Sequence, residues 1–299
     1  MLDTPLKPTA ANLENRAQIC LYLSRAFLTP DPNEGLSLLQ QDFVADMQAL
    51  LAQAGRSEKS LHAFADSLAI FDDAEHFLTV YSRLFLVPPV SIPLNASVYL
   101  AGEMMAAPVD DMLATYPQLG LEKQPSFKDL PDHLAVQLEF IAFLYADAAE
   151  TIAVHPLQAK GRLAIAERFM RVHINAWLPE LLGRLNRAAS ESADETAFWR
   201  LGQLLAQMVA EDLRELAPFV ADEKPFTAVS GQYRPEMELP EDEQAQLADI
   251  RARLEQAGLS TEHLQTNTAG LDGQLGLNPT KPVLPRQGKG SRAWQQRMG

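Results

Sequence analysis

A carboxylate and an imidazole stand side by side at Asp132 and His133, directly after Pro131. Such a pair could transfer protons in an enzyme or in a helical ligand-binding protein. Adjacent residues on a helix point about 100° apart, however, so the two side chains need not face one substrate. The structural alternative is that Asp132 is a first-turn acid, which the positive end of a helix dipole favours.

Polar and aromatic side chains also flank a proline-rich joint. Tyr81 and Arg83 precede residues 87–93, and Ser97 and Tyr99 follow them. The three prolines of this joint remove backbone donors and push their predecessors out of the helical region, so we expect an extended segment. On physical grounds alone, we expect Tyr81 to be a core aromatic and Ser97 to cap a helix.

Residue patterns for metal, cofactor or nucleophilic chemistry are missing. None of the six histidines follows a glutamate by three residues, as the ligands of a di-iron bundle would. One cysteine, Cys20, cannot build a structural zinc centre. The string from Gly288 to Ser291 departs from a phosphate-binding loop, because Gly290 separates its lysine from its serine. We therefore expect no metal, no cofactor and no enzymatic activity.

The charge of the chain points to the kind of partner. The net charge is −14, whereas a nucleic-acid backbone requires clustered Lys and Arg, so nucleic acid is not expected as a partner. A cationic partner fits better, although acidity can also simply keep a helical protein soluble. Residues 281–299 are the exception, since they carry five cations and no acid.

Cysteine usage and apolar run lengths predict a cytoplasmic protein. A single cysteine provides no disulfide framework. The first eight residues contain an early acid, two prolines and no apolar run suited to a signal peptide. Nowhere do about 18 apolar residues run uninterrupted, so stable membrane insertion is not expected.

The elements that must position these side chains are helices. Apolar residues recur every three or four positions up to about residue 220, and strand-like alternation is absent. The predicted fold class is all-α, with one helical bundle. We place helices near residues 11–28, 35–54, 58–70, 73–86, 96–117, 131–150, 158–187 and 194–217.

The helix near residues 131–150 differs from the others. It is apolar on nearly every side, which is typical of a helix in the middle of a bundle. Pro131 suits its first turn, and the charge of Asp132 suits its positive end.

The character of the chain changes after about residue 220, where Pro, Gly and polar residues become frequent. We therefore predict a helical domain at residues 1–222 and a C-terminal extension at residues 223–299. The extension is expected to contain one short polar helix, near residues 241–257, and a basic, flexible and largely irregular tail.

The order of several short motifs resembles the TorD/DmsD/NarJ family of redox enzyme maturation chaperones. The resemblance covers about residues 11–220, and its most telling piece is the Pro-Asp-His-Leu helix start. Val87 stands where the family usually has a glycine. The motifs are Tyr81-Ser-Arg-Leu-Phe85, Pro88, Ser97-Val-Tyr99, Gly120-Leu121, Pro131-Asp-His-Leu134, Leu138-Glu-Phe140 and His173-x-x-x-Trp177.

The resemblance implies a TorD-like, cytoplasmic, non-enzymatic chaperone. Members of that family bind the twin-arginine signal peptide, and often the body, of a molybdoenzyme precursor until its cofactor is inserted. The implied client is of the DMSO/TMAO reductase or formate dehydrogenase class, and the chaperone would be a monomer or a domain-swapped dimer. The alternatives are a NarJ-like assembly factor for a membrane-bound reductase, and a ligand-binding protein or enzyme that uses Asp132 and His133.

The resemblance also implies a set of client-contacting residues. A signal peptide offers arginines followed by an apolar stretch, so its receptor needs acceptors beside exposed aromatics, and a carboxylate can take a bidentate arginine. The expected client- or signal-peptide-binding residues are Tyr81, Arg83, Phe85, Pro88, Ser97, Tyr99, Pro131, Asp132, His133, Leu134 and Glu139.

Overall fold

A computed structural model of the chain describes residues 8–87, 92–102, 107–119, 121–123, 130–223 and 277–279. Pro88, the polar helix predicted near residues 241–257 and the basic residues 281–299 lie outside the described residues. The division of the chain after residue 222 therefore stays a prediction, although the last helix of the bundle ends at Val220.

Helices form nearly all of the described regular structure, which confirms the predicted all-α class. None of them is both long and apolar enough to cross a membrane, within the ranges described. A short strand β1, Leu121–Lys123, pairs antiparallel with β2, Leu277–Pro279. The helices are α1 Ala10–Ala26, α2 Gly35–Ser37, α3 Val44–Gln53, α4 Lys59–Leu68, α5 Ala74–Phe85, α6 Ala96–Leu100, α7 Ala107–Gln118, α8 Leu134–Thr151, α9 Pro156–Phe169, α10 Leu178–Glu191 and α11 Thr196–Val220.

Three irregular helical turns join neighbouring helices. A π-helical turn, Leu38–Phe43, connects α2 to α3, and a second one, Met170–Ile174, extends α9. A single 3₁₀ turn, Ala193–Glu195, leads into α11. Because π-helical turns insert an extra residue into a helix, each of them re-aims the side chains that follow.

The most apolar helix, α8, occupies the middle of the bundle as predicted. It packs against α1 and α9, while α11 packs against α4, α9 and α10. Leu134 and Val136 of α8 are both fully buried, although they lie on opposite sides of the helix, about 200° apart. Burying a side chain of this size stabilises the fold by about 1.5 to 3 kcal/mol, so α8 contributes to the core on more than one side.

A buried ionic cluster ties four parts of the bundle together. Asp212 of α11 accepts from Arg16 of α1 and from Arg56, which follows α3, and Tyr145 Oη of α8 donates to Asp212 Oδ2 at 2.7 Å. Arg16 also pairs with Glu215. Burial opposes ionisation of Asp212, but Arg16 and Arg56 outweigh it and hold the pKa of Asp212 below its usual value.

Two predicted helices are each divided in the structure. The helix predicted at residues 96–117 becomes α6 and α7, because Gly102 adopts a left-handed φ of 83° that ends the first of them. The helix predicted at 158–187 turns at Trp177 and restarts as α10, where Pro179 occupies the first turn. A proline there lacks the N–H that a continuous helix would need.

Two predicted helix starts are also corrected. Helix α8 begins at Leu134, with His133 as its N-cap, so Pro131 and Asp132 precede the helix and do not form its first turn. His133 Nδ1 accepts from the Ala135 amide at 3.2 Å, which satisfies one of the free donors of that end. Ser97 is not the cap of α6, because that position belongs to Asn95.

Candidate functional site

The carboxylate of Asp132 is fully buried and holds two distant segments together. Asn95 Nδ2 donates to Oδ1 at 3.1 Å, and Ser97 donates to Oδ2 from its amide at 2.9 Å and from its hydroxyl at 2.5 Å. The backbones are joined as well, since the Leu134 amide donates to the Leu94 carbonyl at 2.8 Å. We call this junction, residues 94–97 with 132–134, the neck. In this conformation Asp132 has no exposed surface for an arginine.

The other members of the Pro-Asp-His-Leu motif are buried too. His133 caps α8, and Leu134 is fully enclosed. Tyr116 of α7 donates its hydroxyl to the Pro131 carbonyl at 3.1 Å, and Gln137 donates to the Asp132 carbonyl at 2.6 Å. Direct contact between a client and this motif would therefore require the neck to open.

Tyr81 and Phe85 lie in an aromatic cluster of the core rather than on the surface. Together with Phe77 they form one face of α5, and their ring centroids lie 5.2 to 5.8 Å from that of Phe198. The Tyr81 hydroxyl donates to the Phe27 carbonyl at 3.1 Å. This location matches the expectation, from burial trends alone, that Tyr81 is a core aromatic. It does not match the client-contacting surface role that the family resemblance implies for Tyr81 and Phe85.

Arg83 extends from the other side of α5 and meets Glu195. Its Nε and Nη2 atoms both lie 3.0 Å from Glu195 Oε1. The two partners differ in exposure, since the Arg83 side chain is 52% exposed and that of Glu195 is 11% exposed. Glu195 directly precedes α11, where the positive end of the helix dipole favours its negative charge.

A groove of about 720 Å³ opens between the end of α5 and α10. We call it the α5–α10 groove. Leu84 and Ile92 contribute apolar surface to it, and the chain leaves α5 through Leu86 and Val87, each 54% exposed. Six charged side chains line the groove, namely Arg83, Glu180, Arg184, Arg187, Glu191 and Glu195.

Tyr99 links the neck to this groove. Its ring stacks on Trp177 with centroids 4.9 Å apart, and the Arg184 guanidinium lies 4.6 Å from its ring centroid on the groove side. Its hydroxyl donates to the Pro93 carbonyl at 2.8 Å, and burial raises the pKa of Tyr99 above its usual value. Tyr99 therefore connects the segment that follows the proline-rich joint to Trp177 and to Arg184 of α10.

Glu139 of α8 lies elsewhere, against α1. Ser24 donates its hydroxyl to Glu139 Oε1 at 3.4 Å. Burial raises the pKa of Glu139, and the nearby charge of Arg25 opposes that rise. Glu139 is not among the residues that line the α5–α10 groove.

A buried histidine fastens α7 to the second π-helical turn. His173 Nε2 lies 2.7 Å from Asp111 Oδ2, and the Trp177 indole donates to the His173 carbonyl at 2.5 Å. Among the described residues, no hydrogen bond reaches His173 Nδ1. Burial lowers the pKa of His173, and the contact with Asp111 opposes that lowering.

The structure thus brings together only part of the predicted site. Arg83 lines the α5–α10 groove and Tyr99 borders it, whereas Pro88 lies outside the described residues. The remaining candidates are buried, except that Glu139 is partly exposed. Sequence reasoning missed Glu195 and Arg184. The four-residue spacing of Glu180 and Arg184 could have indicated an exposed helical pair, but Glu195 lies 112 positions from Arg83 and gives no local signal.

Comparisons with known proteins show what the chain is similar to. The family model described as "Nitrate reductase delta subunit" matches residues 61–182, which run from α4 into α10 and include the neck. Chaperone protein TorD of Photobacterium profundum is 24% identical over 173 residues, which are 56% of this chain and 79% of that protein. No solved structure matches the chain significantly. Together with the helical fold, these similarities support the resemblance of the chain to the NarJ/TorD family of redox enzyme maturation chaperones.

Proposed function

We propose that this protein is a cytoplasmic, non-enzymatic chaperone that binds a molybdoenzyme precursor before export. The observation that carries the proposal is the similarity to a TorD chaperone and to the family model over residues 61–182. That stretch contains α5, the neck and the start of α10, and it supplies four of the ten residues that line the open groove. An open groove suits a protein segment better than a small substrate.

The bound segment is proposed to be a twin-arginine signal peptide. Its arginines require acceptors, and Glu180, Glu191 and Glu195 line the groove. Its apolar stretch requires apolar surface. Leu84 and Ile92 line the same groove, although both are mostly buried, and Leu86 and Val87, each 54% exposed, follow at the end of α5. The proposed client is of the DMSO/TMAO reductase or formate dehydrogenase class.

The predicted site residues divide into two proposed roles. Arg83 and Tyr99 border the groove and are proposed to act at the surface that meets the client. Asp132 and His133 are proposed to act from inside, because the neck that they form positions the chain after the proline-rich joint. Client contact by either of them is proposed only for an opened neck.

Affinity capture from the native cytoplasm tests this function. A tagged full-length chain should retain one molybdoenzyme precursor that still carries its signal peptide, and mass spectrometry identifies both. The matched control is a tagged chain with Glu195→Gln and Arg184→Gln, whose groove has lost one acid and one base. A capture free of any molybdoenzyme precursor, from cells that express such enzymes, would contradict the proposal.

A NarJ-like assembly role is the second candidate, because the matching family is described as the nitrate reductase delta subunit. It predicts that the captured client lacks an exported signal peptide and belongs to a membrane-bound reductase. Acid–base catalysis by Asp132 and His133 has less support, since both side chains are buried and engaged in structural hydrogen bonds.

A further inference from the structure

The carboxylate of Glu195 already holds a guanidinium, but with poor geometry. Arg83 directs both Nε and Nη2 at the single oxygen Oε1, 3.0 Å from each. In the part of the chain that is described, no donor reaches Oε2. The favoured arginine–carboxylate arrangement instead uses two parallel bonds to two oxygens. Glu195 is therefore an arginine acceptor whose capacity is only half used.

We infer that Glu195 accepts an arginine of the client and that Arg83 is a resident competitor, which the client's arginine displaces. This inference rests on the proposed function and names the acceptor within it. An arriving guanidinium can bond to Oε1 and Oε2 together, which Arg83 does not do from its place on α5. A client lysine offers only a point charge, so the site discriminates between the two cations.

Exposure explains why Glu195 and not another acid takes this role. Glu195 is 11% exposed, so its charge is less screened by water than that of Glu180, which is 56% exposed and paired with Arg184. Its position at the start of α11 adds the favourable end of the helix dipole. A nearly buried, preformed carboxylate binds a well-placed guanidinium more strongly than a solvated carboxylate does.

Exposure also explains why Arg83 can leave. Its side chain is 52% exposed, and an ion pair of this kind contributes little net stability because water competes for it. Arg83 can swing into the open groove or into solvent after displacement. The apolar residues that follow the client's arginines would then meet Leu84 and Ile92, which adjoin Arg83 in the same groove.

Two substitutions test the displacement, because they are expected to change the affinity for a peptide in opposite directions. The probe is a fluorescent synthetic peptide with two adjacent arginines followed by a Leu/Ala stretch, and a Lys-Lys peptide serves as its partner. With the full-length chain, Glu195→Gln should weaken arginine-peptide binding at least tenfold, and Arg83→Gln should tighten it about threefold. Glu150→Gln, which removes an exposed acid at the far end of α8, should leave the affinity unchanged.

The outcomes separate this inference from the proposed function. If the unmodified chain binds the arginine peptide but Glu195→Gln binds it equally well, Glu195 is not the acceptor while peptide recognition stands. If Arg83→Gln weakens binding as much as Glu195→Gln does, Arg83 contacts the client and is not displaced. If the unmodified chain binds neither peptide, signal-peptide recognition and the inference both fail. Melting temperatures of all variants show that the compared proteins are folded.

Discussion

Replacing Asp132 with alanine should destabilise the fold strongly, because the neck depends on its carboxylate. The substitution leaves three buried donors without their acceptor, namely Asn95 Nδ2 and the amide and hydroxyl of Ser97. It keeps the backbone contacts of the neck, such as the bond from Leu134 to Leu94. The loss is therefore confined to the polar centre of the junction.

The magnitude follows from the number of unpaired groups. A buried donor that loses its partner costs about 1 to 3 kcal/mol, and the Ser97 hydroxyl can rotate toward another acceptor, so the total is about 3 to 5 kcal/mol. If Asp132 acted only on a helix dipole, its replacement would cost about 0.3 to 1 kcal/mol. For a folded region of this size, each kcal/mol corresponds to about 2 to 4 °C, so we expect melting to fall by about 6 to 20 °C.

A double-mutant cycle in urea provides the assay. Unfolding free energies are measured for Asp132→Ala, Ser97→Ala and the double variant. Ser97→Ala alone should cost about 0.5 to 1.5 kcal/mol, since it removes one hydrogen bond and retains the amide donor. Because Asp132 and Ser97 touch, their effects should not add, and the coupling energy should be about 1 to 2 kcal/mol.

The alternative outcome is equally specific. The carboxylate does not hold the neck if the free energy of unfolding of Asp132→Ala lies within about 0.5 kcal/mol of that of the unmodified chain. The same conclusion follows if the effects of the two substitutions on this free energy are additive. Peptide affinity measured on the same preparations then decides whether Asp132 serves the client directly.

Two further predictions concern pH. Asp212→Asn should cost about 3 to 5 kcal/mol at neutral pH and flatten acid unfolding. Arg16 and Arg56 hold the pKa of Asp212 below its usual value despite burial, so its stabilisation is present above about pH 4 and lost as pH falls through the depressed pKa. His173→Gln should remove a fall in stability below about pH 6.5, because burial lowers the pKa of His173 and the unfolded chain then binds that proton more tightly. Urea unfolding between pH 2 and 8 checks both, and unchanged pH profiles would refute the assignments.

Helical periodicity was enough to predict the class of the fold and its central helix. A helix that is apolar on all sides is buried between other helices, and α8 packs in this way. Periodicity was not enough to find the breaks at Gly102 and Trp177, because the apolar spacing continues across both. Those breaks depend on one left-handed residue and on one proline in the first turn of a new helix.

The site was harder to predict because its partners are far apart in the sequence. The Pro-Asp-His-Leu motif indicated an exposed acceptor, yet Asn95 and Ser97 enclose Asp132 from a segment about 35 positions earlier. Glu195 meets Arg83 across 112 positions. Only the packing of α5 against the turn before α11 creates that pair, and no local spacing encodes it.

The neck also makes part of the chain exchangeable. Asn95 and Asp132 are 37 positions apart and joined by a bond of 3.1 Å, so α6, α7 and β1 form a loop whose ends are fixed at one point. The entropy of closing a loop rises only with the logarithm of its length, so residues can be gained or lost inside it at little cost to the bundle. Insertions and deletions within this loop should be tolerated, provided that its contacts with the bundle are kept. These contacts are those of Tyr116 with Phe140 and Phe169, of Tyr99 with Trp177 and of Asp111 with His173.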